Sequence, residues 1–262
     1  MTTRTSYEPG TFSWVDLQTS DQGAAKRFYA DLFGWEFEDM PAGEGAIYSM
    51  ASVDGQQVGA VAGQQPGDPS PPHWNNYVTV ANAEAAAAQA KENGGTVLMD
   101  AFDVLDSGRM AVLQDPTGGV FCVWEPRSQI GAGRVNEPGS LTWNELGTPD
   151  PETATRFYTA LFGWGTEVMD TGGGPSYTVI SVGERSNGGI REQSPEEQQA
   201  GIPANWLPYF AIDSADATVA RTTELGGSVL LPAMDMPSGG RIAALADPQG
   251  AAFAVWAGPL DE

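Results

Sequence analysis

The chain repeats itself, and that limits what it can fold into more than any other feature. Gly10-Thr-Phe-Ser-Trp-Val-Asp-Leu, followed by Arg27-Phe-Tyr-Ala-Asp-Leu-Phe-Gly-Trp35, recurs 129 residues later. The second copy reads Gly139-Ser-Leu-Thr-Trp-Asn-Glu-Leu, then Arg156-Phe-Tyr-Thr-Ala-Leu-Phe-Gly-Trp164. Further along the offset becomes 132: Trp74 and Tyr77 answer to Trp206 and Tyr209, Gly108-Arg109 to Gly240-Arg241, Asp115-Pro116 to Asp247-Pro248, and Trp124 to Trp256. A net insertion of three residues therefore lies between Met169 and Trp206, around 191–203. Self-similarity over so long a stretch marks a duplicated folding unit, and 262 residues divide into two domains of ordinary size. The expected boundaries are 8–127 and 138–258, with a Gly- and Pro-containing linker at 128–137.

Within each copy the hydrophobic pattern alternates between the two regular periods. Residues 11–18 alternate as a strand, which puts Phe12, Trp14 and Asp16 on one face. Asp21 is a good helix cap, and its counterpart Asp150 precedes Pro151 at a first helical position. Ala25, Phe28, Tyr29, Leu32 and Phe33 form one helical stripe, closed by Gly34 as Gly163 closes the second copy. Strands are expected near 35–40, 45–53 and 56–63, and a Pro-rich loop at 66–72. The pattern then restarts with a strand at 73–80 and an Ala-rich helix at 83–93, followed by strands near 96–104, 108–115 and 119–125. The chain reads as α+β: four βαβββ modules, two per domain. Gly172-Gly173-Gly174 reads as a turn between strands, and no phosphate-binding glycine motif occurs.

Composition narrows the function. Lys and Arg number 12 against 34 Asp and Glu, a net charge of −22, which excludes nucleic-acid binding and disfavours anionic membrane surfaces. A lone Cys122 rules out an intramolecular disulfide, and a lone His73 rules out any site needing two histidines from one chain. Residues 1–10 are polar and no apolar run approaches a membrane span, so a soluble, cytoplasmic protein is expected.

The run from Asp21 through Phe28-Tyr29 to Leu32-Phe33-Gly34-Trp35, with Asp115-Pro116-Thr117-Gly118 leading into Phe121-Cys122-Val123-Trp124-Glu125, resembles the vicinal oxygen chelate superfamily. This is the glyoxalase, bleomycin-resistance and extradiol-dioxygenase fold; the duplicated form resembles actinobacterial two-domain glyoxalase-like proteins. The resemblance implies paired modules curling into one cupped sheet per domain. It also implies two domains that pack as separate subunits do in single-domain relatives, hence a monomer with intrachain domain pairing. Catalytic relatives carry metal ligands on the first strand, the fourth strand, the first strand of the second module, and the last strand. Counted from the Asp and Asn landmarks, those positions fall on Trp14, Asn75 and Cys122 in the first domain, and on Trp143, Leu207 and Ala254 in the second. Gly59 and Gly189 lie near the fourth-strand position. None is His or Glu, so neither a metal nor any other cofactor is expected.

What remains is aromatic and acidic. Alternation groups Trp14 with Asp16 and Trp143 with Glu145; Tyr77, Tyr209, Trp124 and Trp256 complete the two cups. These residues either box a flat ligand, with Asp16 and Glu145 as proton acceptors, or simply fill space. Asn75 retains a polar side chain at its ligand position. Arg109 and Arg241 either anchor an anionic ligand group or form structural ion pairs, to those carboxylates or others. His73 is expected on the face opposite Asn75, in a surface or loop-packing role, and Cys122 as an inert core thiol. The acidic stretch 192–199 is a solvated loop or a lid over the second pocket. The favoured function is a metal-independent enzyme that transforms a small aromatic or conjugated metabolite by cyclisation, isomerisation, a lyase step or hydroxylase-type tailoring. The alternative is a non-catalytic protein that sequesters an antibiotic.

Overall fold

Asp21 accepts the Ala24 N–H at 2.9 Å and starts α1 (Gln22–Phe33), which Gly34 ends in the left-handed region at φ 72°. Asp150 and Gly163 do the same for α3 (Pro151–Phe162). A computed structural model describes residues 3–43, 45–65, 67–169, 175–237 and 239–260; the expected turn at Gly172-Gly173-Gly174 lies outside the described residues. The first domain runs β1 (Phe12–Thr19), α1, β2 (Glu36–Pro41), β3 (Ile47–Val53), β4 (Gln56–Gly63), β5 (His73–Thr79), α2 (Ala83–Glu92), β6 (Thr96–Val104), β7 (Gly108–Gln114) and β8 (Val120–Pro126). The second runs β9 (Leu141–Thr148), α3, β10 (Gly165–Met169), β11 (Tyr177–Val182), β12 (Arg185–Glu192), α4 (Pro195–Gln199), β13 (Asn205–Ala211), α5 (Ala215–Glu224), β14 (Ser228–Asp235), β15 (Arg241–Ala246) and β16 (Ala252–Ala257).

Each domain forms one eight-stranded sheet, in the orders β2-β3-β4-β1-β5-β8-β7-β6 and β10-β11-β12-β9-β13-β16-β15-β14. The two modules of a domain join where their first strands pair antiparallel, β1 with β5 and β9 with β13. Helices cover one face and leave the other as a cup.

The helical faces do not form one core per domain. Phe28, Tyr29 and Phe33 of α1 pack with Phe210, Leu245 and Phe253 of the second domain. Phe157, Tyr158 and Leu161 of α3 pack with Val78, Leu113 and Phe121 of the first. The pairing is reciprocal in its polar contacts too. Tyr29 donates to Asp247 at 3.2 Å and Tyr158 to Asp115 at 2.8 Å, while Trp35 and Trp164 donate to the carbonyls of Gly139 and Gly10. Each core is thus built from one module of each domain.

Two side-chain placements differ from the alternation. Phe12 does not share a face with Trp14. The register shifts between them, as at a β-bulge, and Phe12 lies in the interdomain core against Trp164 and Trp206. His73 stands directly opposite Gln18 and two residues before Asn75, so it shares the cup face with Asn75. Its Nδ1 donates to the Pro71 carbonyl at 2.9 Å. Among the described residues no helix is long and apolar enough to cross a membrane.

Candidate functional site

The bottom of the first cup is organised around Asp16, which is 2% exposed. One carboxylate oxygen accepts from Asn75 at 2.9 Å and Gln18 at 3.4 Å; the other accepts from Tyr77 at 2.8 Å and Tyr48 at 3.0 Å. Trp14 donates in turn to the Tyr48 hydroxyl at 2.9 Å. Burial first, and the Asp16 charge second, push both phenols far above their ordinary range, so they remain donors. Trp14, Tyr77, Cys122 and Trp124 pack into one cluster with Ala132 and Val135 of the interdomain segment. Burial also pushes the Cys122 thiol up, which leaves it protonated and inert.

The second cup repeats the plan with different chemistry. Glu145, 8% exposed, takes the place of Asp16. It is bonded by the phenols of Tyr177 and Tyr209 and by Nε of Arg191 at 3.0 Å. Trp143 donates to the Tyr177 hydroxyl at 3.0 Å, matching Trp14 and Tyr48. Burial raises the Glu145 carboxyl above its ordinary value of 4.5, and outweighs the opposing pull of Arg191 and the two phenols. Arg191 is bound on its far side by both carboxylate oxygens of Glu197, at 2.6 and 2.7 Å. Glu197 lies on α4, a short helix in the loop that is three residues longer than its counterpart in the first domain. It also closes a capping box with Ser194.

Three exchanges between the repeats account for the difference. Ala62 becomes Arg191, Gln18 becomes Gly147, and Asn75 becomes Leu207. The register places Arg191 opposite Gly147, and a Cβ on Gly147 would lie 3.1 Å from the guanidinium. The glycine therefore makes the room that the arginine occupies. At Gly189, a Cβ would stand 2.2 Å from the Tyr177 hydroxyl, so the phenol crosses β12 only because that position is bare.

The walls above these polar centres are apolar. Directly opposed residues on paired strands share a face. Met40 opposes Tyr48, Met99 opposes Val112 and Phe102 opposes Met110, so all three face the first cup. By the same rule Met169, Leu231 and Met234 face the second. Met99 and Phe102 are 50% and 39% exposed, on an edge strand where large apolar side chains are a liability unless used.

Of the residues singled out by sequence, the structure brings together Trp14, Asp16, Asn75, Tyr77 and Trp124 in one cup, and Trp143, Glu145 and Tyr209 in the other. Trp256 lies at the rim of the second cup, against Gly240 and Gly258, and donates to the Pro259 carbonyl. Arg109 and Arg241 are in neither cup. Met110 and Val112 take the cup face of β7, so Arg109 falls on the helical face, paired with Asp103 at 3.0 Å and Glu84 of α2 at 3.8 Å. Arg241 repeats this with Asp235 and Asp216 of α5. Sequence reasoning missed Tyr48, Tyr177 and Arg191. The two tyrosines recur at the same 129-residue offset, which marked them.

The donor set does not fit a divalent ion. Asp16 is surrounded by four neutral donors, and Glu145 is bonded to a guanidinium that a dication would have to displace. Among the described residues no three His, Cys, Asp or Glu side chains gather as a metal site.

The model of the Glyoxalase/Bleomycin resistance protein/Dioxygenase superfamily matches residues 11–123 and 140–255. The glyoxylase-named protein CFP32 of Mycobacterium tuberculosis is 45% identical over 258 residues, 97% of each chain. The anthracycline biosynthesis protein DauV of Streptomyces sp. strain C5 is 37% identical over 265 residues, covering 96% of this chain and 94% of its own. Among solved structures, the Mn(II)-bound glyoxalase from Novosphingobium aromaticivorans superimposes with a TM-score of 0.65 at 17% identity, over 95% of this chain and 82% of that one. The 2,3-dioxygenase LapB from Pseudomonas sp. KL28 gives 0.66 at 14%, over 98% and 96%. At these identities the structures show the fold.

Proposed function

Because the chain belongs to the Glyoxalase/Bleomycin resistance protein/Dioxygenase superfamily, we propose that its cups bind a small conjugated or aromatic metabolite and that the second cup transforms it by proton transfer in specialised metabolism. The observation that carries this reading is Glu145. It is a carboxylate at the bottom of an aromatic, apolar cup, with its proton affinity raised by burial. A base held in that way is closer to neutral working pH than an exposed glutamate. Glu145 takes a proton from a ligand carbon or hydroxyl and returns it at another position, as a cyclisation, isomerisation or lyase step requires. Tyr177 and Tyr209 donate their single O–H groups to that carboxylate and so fix its orientation in the cup. Trp143 and the Met169, Leu231 and Met234 wall supply flat and adaptable apolar contact. The likeness to an anthracycline biosynthesis protein makes polycyclic aromatic compounds the first ligands to test.

A second reading, binding without turnover, is favoured for the first cup. Asp16 already accepts four hydrogen bonds, close to the capacity of a carboxylate, and acts there as a structural acceptor. The test is Glu145→Gln against Asp16→Asn, with ligand binding followed by tryptophan quenching and conversion by chromatography. The proposal expects Glu145→Gln to lower turnover by roughly 10²–10⁴ while still binding. Unchanged turnover in Glu145→Gln overturns it, and protection without conversion by the wild type returns the sequestering alternative.

A further inference from the structure

Arg191 brings to the second cup a cation where the first has Ala62, and its partners are unequal. Glu145 meets it with a single oxygen from the strand beside it. Glu197 meets it with two, in the forked geometry that guanidinium and carboxylate form best. Yet Glu197 belongs to no part of the sheet. It is carried by a five-residue helix inserted between β12 and β13, none of whose residues is buried. An arginine that faces the cup by its register opposite Gly147 and across from Tyr177 is thus capped by a carboxylate on a surface insertion. The repeat shows that the sheet does not need this arrangement, since Ala62, Gln18 and Asn75 complete the first cup without any cation.

We infer that Arg191 is the anchor for a carboxylate group on the ligand of the second cup, and that Glu197 holds that position as an internal surrogate which the ligand displaces. This rests on the proposed small-molecule reading and adds the ligand's charge class. A ligand carboxylate replaces the Glu197 fork with an equivalent fork, so Arg191 stays paired throughout and its guanidinium is never left bare. Release of Glu197 frees α4 from the cup, because the helix's other hydrogen bonds stay within its own loop, from Gln198 to the Gln193 carbonyl and between Ser194 and Glu197, while Gln193 ties only the base of the loop to Thr148 of β9. The anchored end then lies beside Glu145, with the ligand body toward Trp143 and Leu231. The two cups consequently accept different ligands, an acid in the second and a neutral molecule in the first.

The test uses the full chain with benzoate and, separately, benzamide, which has the same ring and no charge. Binding is followed by calorimetry, and opening of α4 by hydrogen exchange at the Gln198 and Ala200 amides. The inference expects benzoate to bind more tightly than benzamide and to speed exchange at both amides. Glu197→Gln removes the competing charge and should tighten benzoate by roughly tenfold, the ratio set by loss of an ordinary charge-assisted bond. Arg191→Gln in that background should erase the preference for benzoate. Glu197→Gln leaves the Arg191–Glu145 pair intact, so it decides the question even if Arg191→Gln does not fold. Equal binding of benzoate and benzamide, unaltered by Glu197→Gln, overturns the anchor and leaves a small-molecule cup standing. Binding of neither compound to any variant overturns the anchor, and the reading beneath it falls separately if polycyclic aromatic compounds also fail to quench the tryptophans.

Discussion

Asp16 and Glu145 stand at the same place in two copies of one module, and their neighbours make them different acids. Asp16 is surrounded by neutral donors, and removing it strands them. Asp16→Leu leaves Tyr48, Tyr77 and Asn75 facing an apolar side chain, so it should cost about 2–4 kcal/mol in chemical denaturation, and Asp16→Asn clearly less. Glu145 has a folded-state proton affinity above its unfolded one. The folded chain therefore keeps that proton at pH values where the unfolded chain has lost it. The stabilising difference is complete below the ordinary glutamate range and disappears as pH rises through the folded value. Glu145→Gln removes that dependence, so its melting temperature should gain on the wild type as pH rises above the ordinary glutamate range. Parallel curves in scanning calorimetry would count against the assignment. Both carboxylates, and the tryptophans beside them, were legible from alternation and the repeat. Tyr48 and Tyr177 were marked by the repeat but not placed, and Arg191 was neither, because each reaches its carboxylate through the parallel pairing of β4 with β1 or of β12 with β9, which no local pattern sets. Arg109 and Arg241 were visible as residues but not as positions, since their face depends on which parity of β7 and β15 meets the helices.

At the scale of elements, caps and stripes carried most of the information. Asp21, Gly34, Asp150, Pro151 and Gly163 state where α1 and α3 begin and end through backbone groups that any solvent-facing helix must satisfy. A strand states its face less securely, and one irregular residue is enough to reverse it, as Phe12 shows. Close approaches within the sheet are the least legible of all. Gly108 admits the Trp124 ring: a Cβ there would stand 2.4 Å from the indole and 2.7 Å from the Glu125 carbonyl. Gly240 does the same for Trp256, at 2.3 Å. Gly108→Ala should therefore destabilise by about 1–3 kcal/mol and change the tryptophan emission, since the added methyl meets a buried indole on one side and the backbone on the other. An unaltered midpoint and spectrum would show that the indole is not packed there.

The whole molecule is a duplicated chain whose two cores each need both copies. Phe28, Tyr29 and Phe33 pack on Phe210, Leu245 and Phe253 of the second domain as well as on their own, and Phe157, Tyr158 and Leu161 pack likewise on Val78, Leu113 and Phe121 of the first. Residues 1–137 produced alone should therefore dimerise or aggregate, whereas coexpression with 138–262 should restore a one-to-one complex in sedimentation. A stable, monomeric first half would contradict the shared cores. The pairing also completes within one chain, so we propose a monomer for the intact protein. We propose that the cups hold an organic ligand through aromatic, apolar and acid–base contacts, without a metal. Native mass spectrometry with metal analysis, on the full chain purified without added metal, tests it most directly. No stoichiometric transition metal is expected, and a mass shift is expected to persist on adding a polycyclic aromatic compound. One transition metal per chain, kept through dialysis, would contradict it.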